Sequence, residues 1–178
     1  WAEMEKQVKC GRTKAIGLSN FNISQIKRIL KNTKMKISML QIELHVYFQQ
    51  KELVKFCKQE NIPITAYSPL GSRSTEEISD MLQNDVVMEI AKKYKKSSAQ
   101  ILLRYIVQNG IVVIPKSINP QRIKENIQLF DWEINPEDMK KLYNLDRGES
   151  SRICDLKFFK GIETHPEYPS MINFHFEK

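Results

Sequence analysis

Ile111-Val112-Val113-Ile114-Pro115-Lys116-Ser117, followed at once by Asn119-Pro120-Gln121-Arg122 and then Glu125-Asn126, decides the fold. The run from Ile111 to Ile114 is apolar at every position rather than alternating, the pattern of a buried strand in a parallel sheet. Asn119 has the short polar side chain of a helix N-cap. Pro120 suits the first helical turn, where its missing N–H is not needed. The chain therefore passes from strand to helix within a few residues. Lys116 and Ser117 leave the strand facing that helix start, with Arg122 in its first turn. A cation, a hydroxyl and the unsatisfied N–H groups of a helix together form a seat for a phosphate. A solvated basic turn is the other reading of the same residues.

Three earlier runs have the same form. Lys14-Ala15-Ile16-Gly17-Leu18 ends in Ser19-Asn20, Met39-Leu40 ends in Gln41-Ile42-Glu43, and Ile62-Pro63-Ile64-Thr65-Ala66 ends in Tyr67-Ser68-Pro69-Leu70-Gly71-Ser72. Each is followed by a helical pattern, so strand and helix alternate along the chain. Parallel strands joined in this way place all their C-terminal ends on one side, where α/β folds carry their sites. The four polar clusters therefore converge on one rim, the layout of a cofactor site.

Ala15-Ile16-Gly17-Leu18-Ser19-Asn20-Phe21-Asn22, Gln41-Ile42-Glu43-Leu44-His45, Ala66 to Ser72, and Ile114-Pro115-Lys116-Ser117 with Arg122 and Glu125-Asn126 closely resemble the aldo-keto reductases. The resemblance covers nearly the whole chain in order. It extends to Arg152-Ile153-Cys154 and His165-Pro166-Glu167-Tyr168-Pro169, which look like the family's substrate loop and C-terminus. It implies an α/β fold, the last four βα units and C-terminal tail of a (β/α)8 TIM-type barrel. It also implies NADPH as cofactor and a small-molecule carbonyl compound as substrate.

By the same resemblance, Ser19, Asn20 and Gln41 bond the nicotinamide carboxamide and Tyr67 stacks on the nicotinamide ring. Ser68, Leu70 and Ser72 run beside the pyrophosphate. Lys116, Ser117, Asn119 and Arg122 hold the 2′-phosphate, while Glu125 and Asn126 meet the adenine. The chemistry of these residue types suits each role. Amides and hydroxyls read a carboxamide, a phenol ring offers a flat face to a heterocycle, and Arg gives a phosphate a permanently charged bidentate partner. Cys154 falls beside the substrate. The belt over the pyrophosphate, 73–80, is shorter and more acidic here than in many relatives, which implies looser cofactor retention. Leu40 and Val46 stand where many relatives carry Asn and Pro.

The family's reaction uses an Asp, a Tyr, a Lys and a His from early strands that precede everything matched here. No catalytic residue carries over to this chain. His45 lies outside the family's catalytic histidine motif and reads as structural. The chain opens on Trp1, and four strands of a closed barrel would leave both outer strands with bare edges. The expectation is one partial domain, residues 1–178, with 147–178 as the substrate-loop tail. Its function is then either the cofactor-binding half of an NADPH-dependent carbonyl reductase or a catalytically inactive half-barrel serving as a binding or assembly module.

The intervening helices carry local signals. Asn22 with Gln25 and Ser97 with Gln100 read as capping boxes. Asn135-Pro136 starts a helix that turns Met139 and Leu142 inward. Asn109-Gly110 stops the helix before the last strand. Ala99, Leu102, Leu103 and Ile106 share one face of an outer helix. In the aperiodic tail, Phe158, Phe159, Tyr168, Phe174 and Phe176 are expected to pack.

The net charge is +7, from 28 basic and 21 acidic residues. The lysines cluster on helix surfaces without interleaved aromatics, so they read as solvated faces rather than a nucleic-acid surface. A modest positive field favours an anionic cofactor. Cys10, Cys57 and Cys154 are too widely spaced for a disulfide framework or a zinc site, and suit a reducing, cytoplasmic setting. Cys10 and Cys57 are expected to be buried or inert. His45, His165 and His175 lack metal-ligand spacing, and no apolar run is long enough to span a bilayer. The complete protein is expected to be monomeric.

Overall fold

A computed structural model describes residues 1–71, 77–154 and 160–168, with the backbone alone for 77–79 and Glu163. The elements follow in the order α1 (Ala2–Lys9), β1 (Leu18–Ser19), α2 (Ile23–Asn32), β2 (Leu40–Glu43), α3 (Lys51–Gln59), β3 (Ile64–Tyr67), α4 (Glu77–Gln83), α5 (Asp85–Tyr94), α6 (Ser98–Gln108), β4 (Val112–Val113), α7 (Pro120–Ile127) and α8 (Pro136–Tyr143). Two 3-10 turns, Gly148–Ser151 and Ile162–Thr164, follow in the tail. The strands form one parallel sheet in the order β1-β2-β3-β4. Consecutive parallel neighbours need crossover connections, and these carry the helices.

The register sorts the strand residues onto two faces. Leu18 pairs with Leu40 and Leu40 with Ile64, while Ile42 pairs with Ala66 and Ala66 with Val113. Side chains alternate along a strand, so these residues share one face. They join the core with Ile26, Phe56, Cys57, Ile101 and Leu102 from the helices. The opposite face carries the row Ser19, Gln41, Thr65 and Val112, then Glu43 opposite Tyr67. Gly17 is required at the start of β1 by a close approach. A Cβ there would lie 2.6 Å from the Met39 carbonyl oxygen, and the next residue's N–H bonds that same oxygen at 2.8 Å.

The helix ends follow local chemistry. Asn22 and Ser97 form the expected capping boxes, and Asn135 caps α8 through the N–H of Asp138. Leu142 is fully buried and Met139 partly so. Gly110 takes a positive φ of 78° just past α6, the left-handed conformation that stops a helix.

Three expectations change. The run Ile111 to Ile114 is not buried throughout: Ile111 is, but Val112 is 49% and Ile114 46% exposed. They lie on the sheet face away from the helices, and among the described residues β4 is an outer strand with a single neighbour. Helix α6 buries every residue from Gln100 to Ile106 rather than one stripe, because α5 and α7 pack on it as well as the sheet. Gln100 reaches the Glu125 and Gln128 carbonyls and Arg104 reaches that of Leu129, so polar side chains inside α6 are spent on backbone. Cys10 is exposed at the end of α1, whereas Cys57 is buried. The tail packs as expected where it is described: Arg28 holds Glu167 through two bonds at 2.7 and 2.8 Å, beside a buried Tyr168. Ser72 and the first half of the belt, 73–76, as well as Phe158, Phe159, Phe174, Phe176 and His175, lie outside the described residues.

Candidate functional site

The site is built at the C-terminal ends of the four strands. Ser19 and Gln41 are register partners, so their side chains lie beside one another on the face away from the helices. Ser19 is exposed and Gln41 half-buried, leaving a hydroxyl and an amide open to a ligand. Asn20 turns the chain out of β1 with a left-handed φ of 58°, and its N–H closes the ladder on the Gln41 carbonyl at 2.9 Å. Ser68 does the same after β3 with a φ of 49°, and its carbonyl accepts from the Gly71 N–H at 2.8 Å. Asn and Ser tolerate these conformations at modest strain, which is common where a chain turns sharply at a site.

Tyr67 ends β3 half-buried, two register steps along from the Gln41–Thr65 pair. Burial and then the charge of Glu43 push its phenol up to about 12, with a hydrogen bond from Asn20 pulling slightly the other way. The ring is therefore neutral across the physiological range, as a stacking surface should be. Pro69 is buried and Leu70 packs on the core, which fixes the start of the β3 loop.

The last cluster lies after β4. Asn119 caps α7 by accepting from the Arg122 N–H at 3.1 Å, and the Ser117 hydroxyl oxygen accepts from the Asn119 N–H at 3.2 Å. Those bonds use the oxygens and leave the Ser117 O–H and the Asn119 NH2 as donors. Lys116 and Arg122 are exposed, and among the described residues neither makes an ion pair. Two unpaired cations at a helix N-terminus suit a dianionic phosphate. Glu125 accepts from the Gln121 amide at 2.9 Å, and Asn126 is half-buried on the same helix.

Sequence reasoning missed Glu43. It is fully buried, accepting from Ile153 N–H at 2.7 Å and Cys154 N–H at 2.8 Å, with His45 Nε2 at 3.1 Å. Burial alone would raise its carboxyl, but these hydrogen bonds outweigh that and hold it below the usual carboxylate range. The available signal was an acidic residue in phase with Gln41 on a strand whose alternate residues are apolar. His45 is buried against Glu43 and Phe48, in line with a structural role. Gln49 was missed too: its amide donates to the Val46, Leu142 and Tyr143 carbonyls and accepts from Tyr105 O–H, tying the loop after β2 to α6 and α8.

Cys154 is half-buried beside this cluster, its thiol pushed up by burial and then by the Glu43 charge. A cavity of about 550 Å³ lies elsewhere, between α3 and α6, and shares no residue with the rim. Lys51 at its mouth is already held by Asp146 at 3.1 Å and by the Tyr143 ring at 3.7 Å. Among the described residues no group of three or more His, Cys, Asp or Glu could hold a metal ion, and no helix is long and apolar enough to cross a membrane.

Comparison with known proteins agrees with this architecture. The family model described as "Aldo/keto reductase family" matches residues 1–147. Prostaglandin F synthase 1 of Bos taurus is 44% identical over 176 residues, covering 95% of this chain and 53% of its own length. Aldo-keto reductase family 1 member A1-A of Danio rerio is 46% identical over 178 residues, covering 95% and 55%. The solved aldose reductase of Schistosoma japonicum superposes with a TM-score of 0.86 at 39% identity, over 98% of this chain and 54% of that one. The chain spans about half the length of these relatives. With a matching family profile over most of its residues and these identities, the chain belongs to the aldo/keto reductase family.

Proposed function

We propose that this chain is the C-terminal half of a (β/α)8 barrel and supplies the NADPH-binding side of an enzyme that reduces aldehydes or ketones to alcohols. The observation that carries the reading is the rim itself. An amide and hydroxyl pair at Ser19–Gln41, a neutral aromatic face at Tyr67 and two unpaired cations at Lys116 and Arg122 lie on successive strand ends. That donor set fits a dinucleotide bearing one extra phosphate: amide readers at one end, a ring face beside them and positive charge at the other.

When bound, NADPH supplies a hydride to the carbonyl carbon. The residues of this chain bind and orient. Ser19, Asn20 and Gln41 fix the rotation of the carboxamide by pairing its donor and acceptor, and Tyr67 fixes the plane of the ring. Ser68 and Leu70 pass beside the pyrophosphate. Lys116, Ser117, Asn119 and Arg122 discriminate for the 2′-phosphate, and Glu125 and Asn126 close on the adenine. No residue of this chain is assigned a proton transfer; that step belongs to the other half of the barrel.

The exposed Val112 on β4 and Ile114 just after it, with Ile123 and Ile127 one turn apart on α7, give the other half an apolar seam to cover. The same seam supports the second reading, a catalytically inactive half-barrel that acts as an assembly module. Titration of the protein with NADPH and NADH, followed by quenching of Trp fluorescence, tests the cofactor assignment: tighter binding of NADPH is expected, and equal affinity for the two overturns it.

A further inference from the structure

Nothing in the cofactor assignment uses Glu43, yet it is the most completely engaged carboxylate of the rim. Its two oxygens receive the N–H groups of Ile153 and Cys154, from residues 110 and 111 positions further along, and one also meets His45 Nε2. The carboxylate is an acceptor only, so His45 donates from Nε2. His45 Nδ1 is then left buried with no partner among the described residues, so the imidazole is committed to Glu43 alone.

We infer that Glu43 is a positioning residue that clamps the backbone of Ile153 and Cys154 onto the end of β2, fixing the tail as the substrate-side wall next to Tyr67. The substrate-side meaning rests on the carbonyl-reductase reading above; the clamp itself does not.

Three observations carry the inference. First, the pairing is directional. Two backbone N–H groups point at two carboxylate oxygens, a demand that no neutral side chain of the same size meets. Gln in this place would turn an NH2 toward one of the amides and leave that N–H unpaired and buried. Second, the clamp joins strand to tail at the register step of Tyr67, since Glu43 and Tyr67 are partners across β2 and β3. A shift of the tail is therefore felt beside the aromatic ring. Third, the approach to the clamp is already docked. The Arg147 N–H bonds the Tyr47 carbonyl at 2.8 Å, its guanidinium lies 3.6 Å from the centre of the Tyr47 ring, and that of Arg152 lies 4.5 Å from the centre of the Phe48 ring. Glu43 is the last tie in that series, and among the described residues it is the only side chain bonded to the Ile153 and Cys154 amides.

The three cysteines form an internal gauge, with Cys10 exposed, Cys57 buried and Cys154 between them. Iodoacetamide labelling read by peptide mass spectrometry compares all three in one sample. Because the Glu43 charge also pushes the Cys154 thiol up, labelling is followed to alkaline pH, where the thiolate is fully formed. There Cys154 labelling relative to Cys10 in Glu43→Gln is expected to rise by roughly tenfold or more, the change in local opening that follows loss of a charge-assisted hydrogen bond. Cys57 should stay protected. Unchanged Cys154 labelling, or Cys154 and Cys57 rising together, overturns the clamp. Should the variant fail to fold, amide exchange on the wild-type protein decides. The Ile153 and Cys154 N–H groups are expected to be protected, and exchange at the rate of an open chain overturns the proposal. In a complete reductase containing this chain, Glu43→Gln should raise the aldehyde KM more than it lowers kcat; an unchanged KM overturns the substrate-side role. Labelling and exchange use no cofactor, so their failure is separate from failure of the NADPH assignment.

Discussion

Glu43 and Tyr67 face each other across the β2–β3 ladder, and the charge of the buried carboxylate, added to burial, pushes the Tyr67 phenol up to about 12 from an ordinary 10.0. The sign of the linkage is fixed by that direction. Between about pH 10 and 12 an unfolded chain gives up this proton while the folded one keeps it. Stability is therefore complete below pH 10 and falls as the pH rises toward 12. Tyr67→Phe should flatten part of that alkaline decline, measured by urea melts at pH 9, 10.5 and 11.5. A decline of unchanged slope in the variant would show that Tyr67 does not titrate late.

Gln49 predicts a loss of stability. Its amide satisfies three backbone carbonyls and the Tyr105 hydroxyl in a buried position. A buried polar group left unpaired costs about 1–3 kcal/mol. Gln49→Leu, which keeps the volume and removes every bond, should lower unfolding stability by roughly 2–4 kcal/mol in denaturant melts of the complete protein. A loss under about 0.5 kcal/mol, the scatter expected of a surface change, would mean that water replaces the amide.

Much of this architecture was legible because its causes are local. Asn22, Ser97, Asn119 and Asn135 cap helices within three residues of themselves, and Gly110 ends α6 by its own φ. What could not be read depends on distant partners. Helix α6 shows one apolar stripe in its sequence, yet the polar positions Gln100 and Arg104 are also buried because carbonyls of α7 and the segment after it lie within reach. The role of Glu43 stayed hidden for the same reason: apart from His45, its partners are backbone groups more than a hundred residues away, which carry no sequence signature. The run Ile111 to Ile114 misled in the opposite direction. Its composition reports a strand meant to be covered on both faces, whereas in this chain one face is open.

Arg122 tests the phosphate end of the rim. Its guanidinium is exposed and has no carboxylate partner among the described residues, so removing it should disturb little but a bound anion. Arg122→Met is expected to weaken NADPH binding by about 1.5–3 kcal/mol, the range for hydrogen bonds to charged groups, while NADH binding hardly changes. An equal loss for both cofactors in fluorescence titrations would sink the clamp assignment at Lys116 and Arg122.

Activity of the chain by itself should be absent. The rim holds groups that bind and orient, but no residue here is assigned the proton transfer that carbonyl reduction needs, and general acid catalysis alone contributes orders of magnitude. With NADPH and a reactive aromatic aldehyde, absorbance at 340 nm should fall no faster than in a blank. Turnover on the order of 1 per second or more would be ordinary enzymatic catalysis. It would mean that a proton donor among the residues named here, Tyr67 or His45 first, has been assigned the wrong role.

The half-barrel reading makes its sharpest prediction about the isolated chain. Val112 and Ile114 expose about half of their surface on the outer strand, and Ile118, Ile127 and Phe130 expose 70% or more nearby. Fully burying a side chain of this size is worth about 1.5–3 kcal/mol, so several together drive association strongly. The outer edge of β4 adds free ladder groups, which invite pairing with another strand. β1 at the other end of the sheet does the same, since among the described residues β2 is its only neighbour. Expressed alone, the chain should aggregate or pair; co-expressed with the segment that supplies the first four βα units, it should become soluble as a closed barrel with no edges. Replacing Ile127 and Phe130 by Lys and Glu should improve solubility of the isolated chain and weaken capture of the complementary half. Size-exclusion chromatography with light scattering separates the outcomes. A soluble, monomeric wild-type chain with a sharp cooperative melt would show that these surfaces need no cover, and the free-standing module would then be the correct reading.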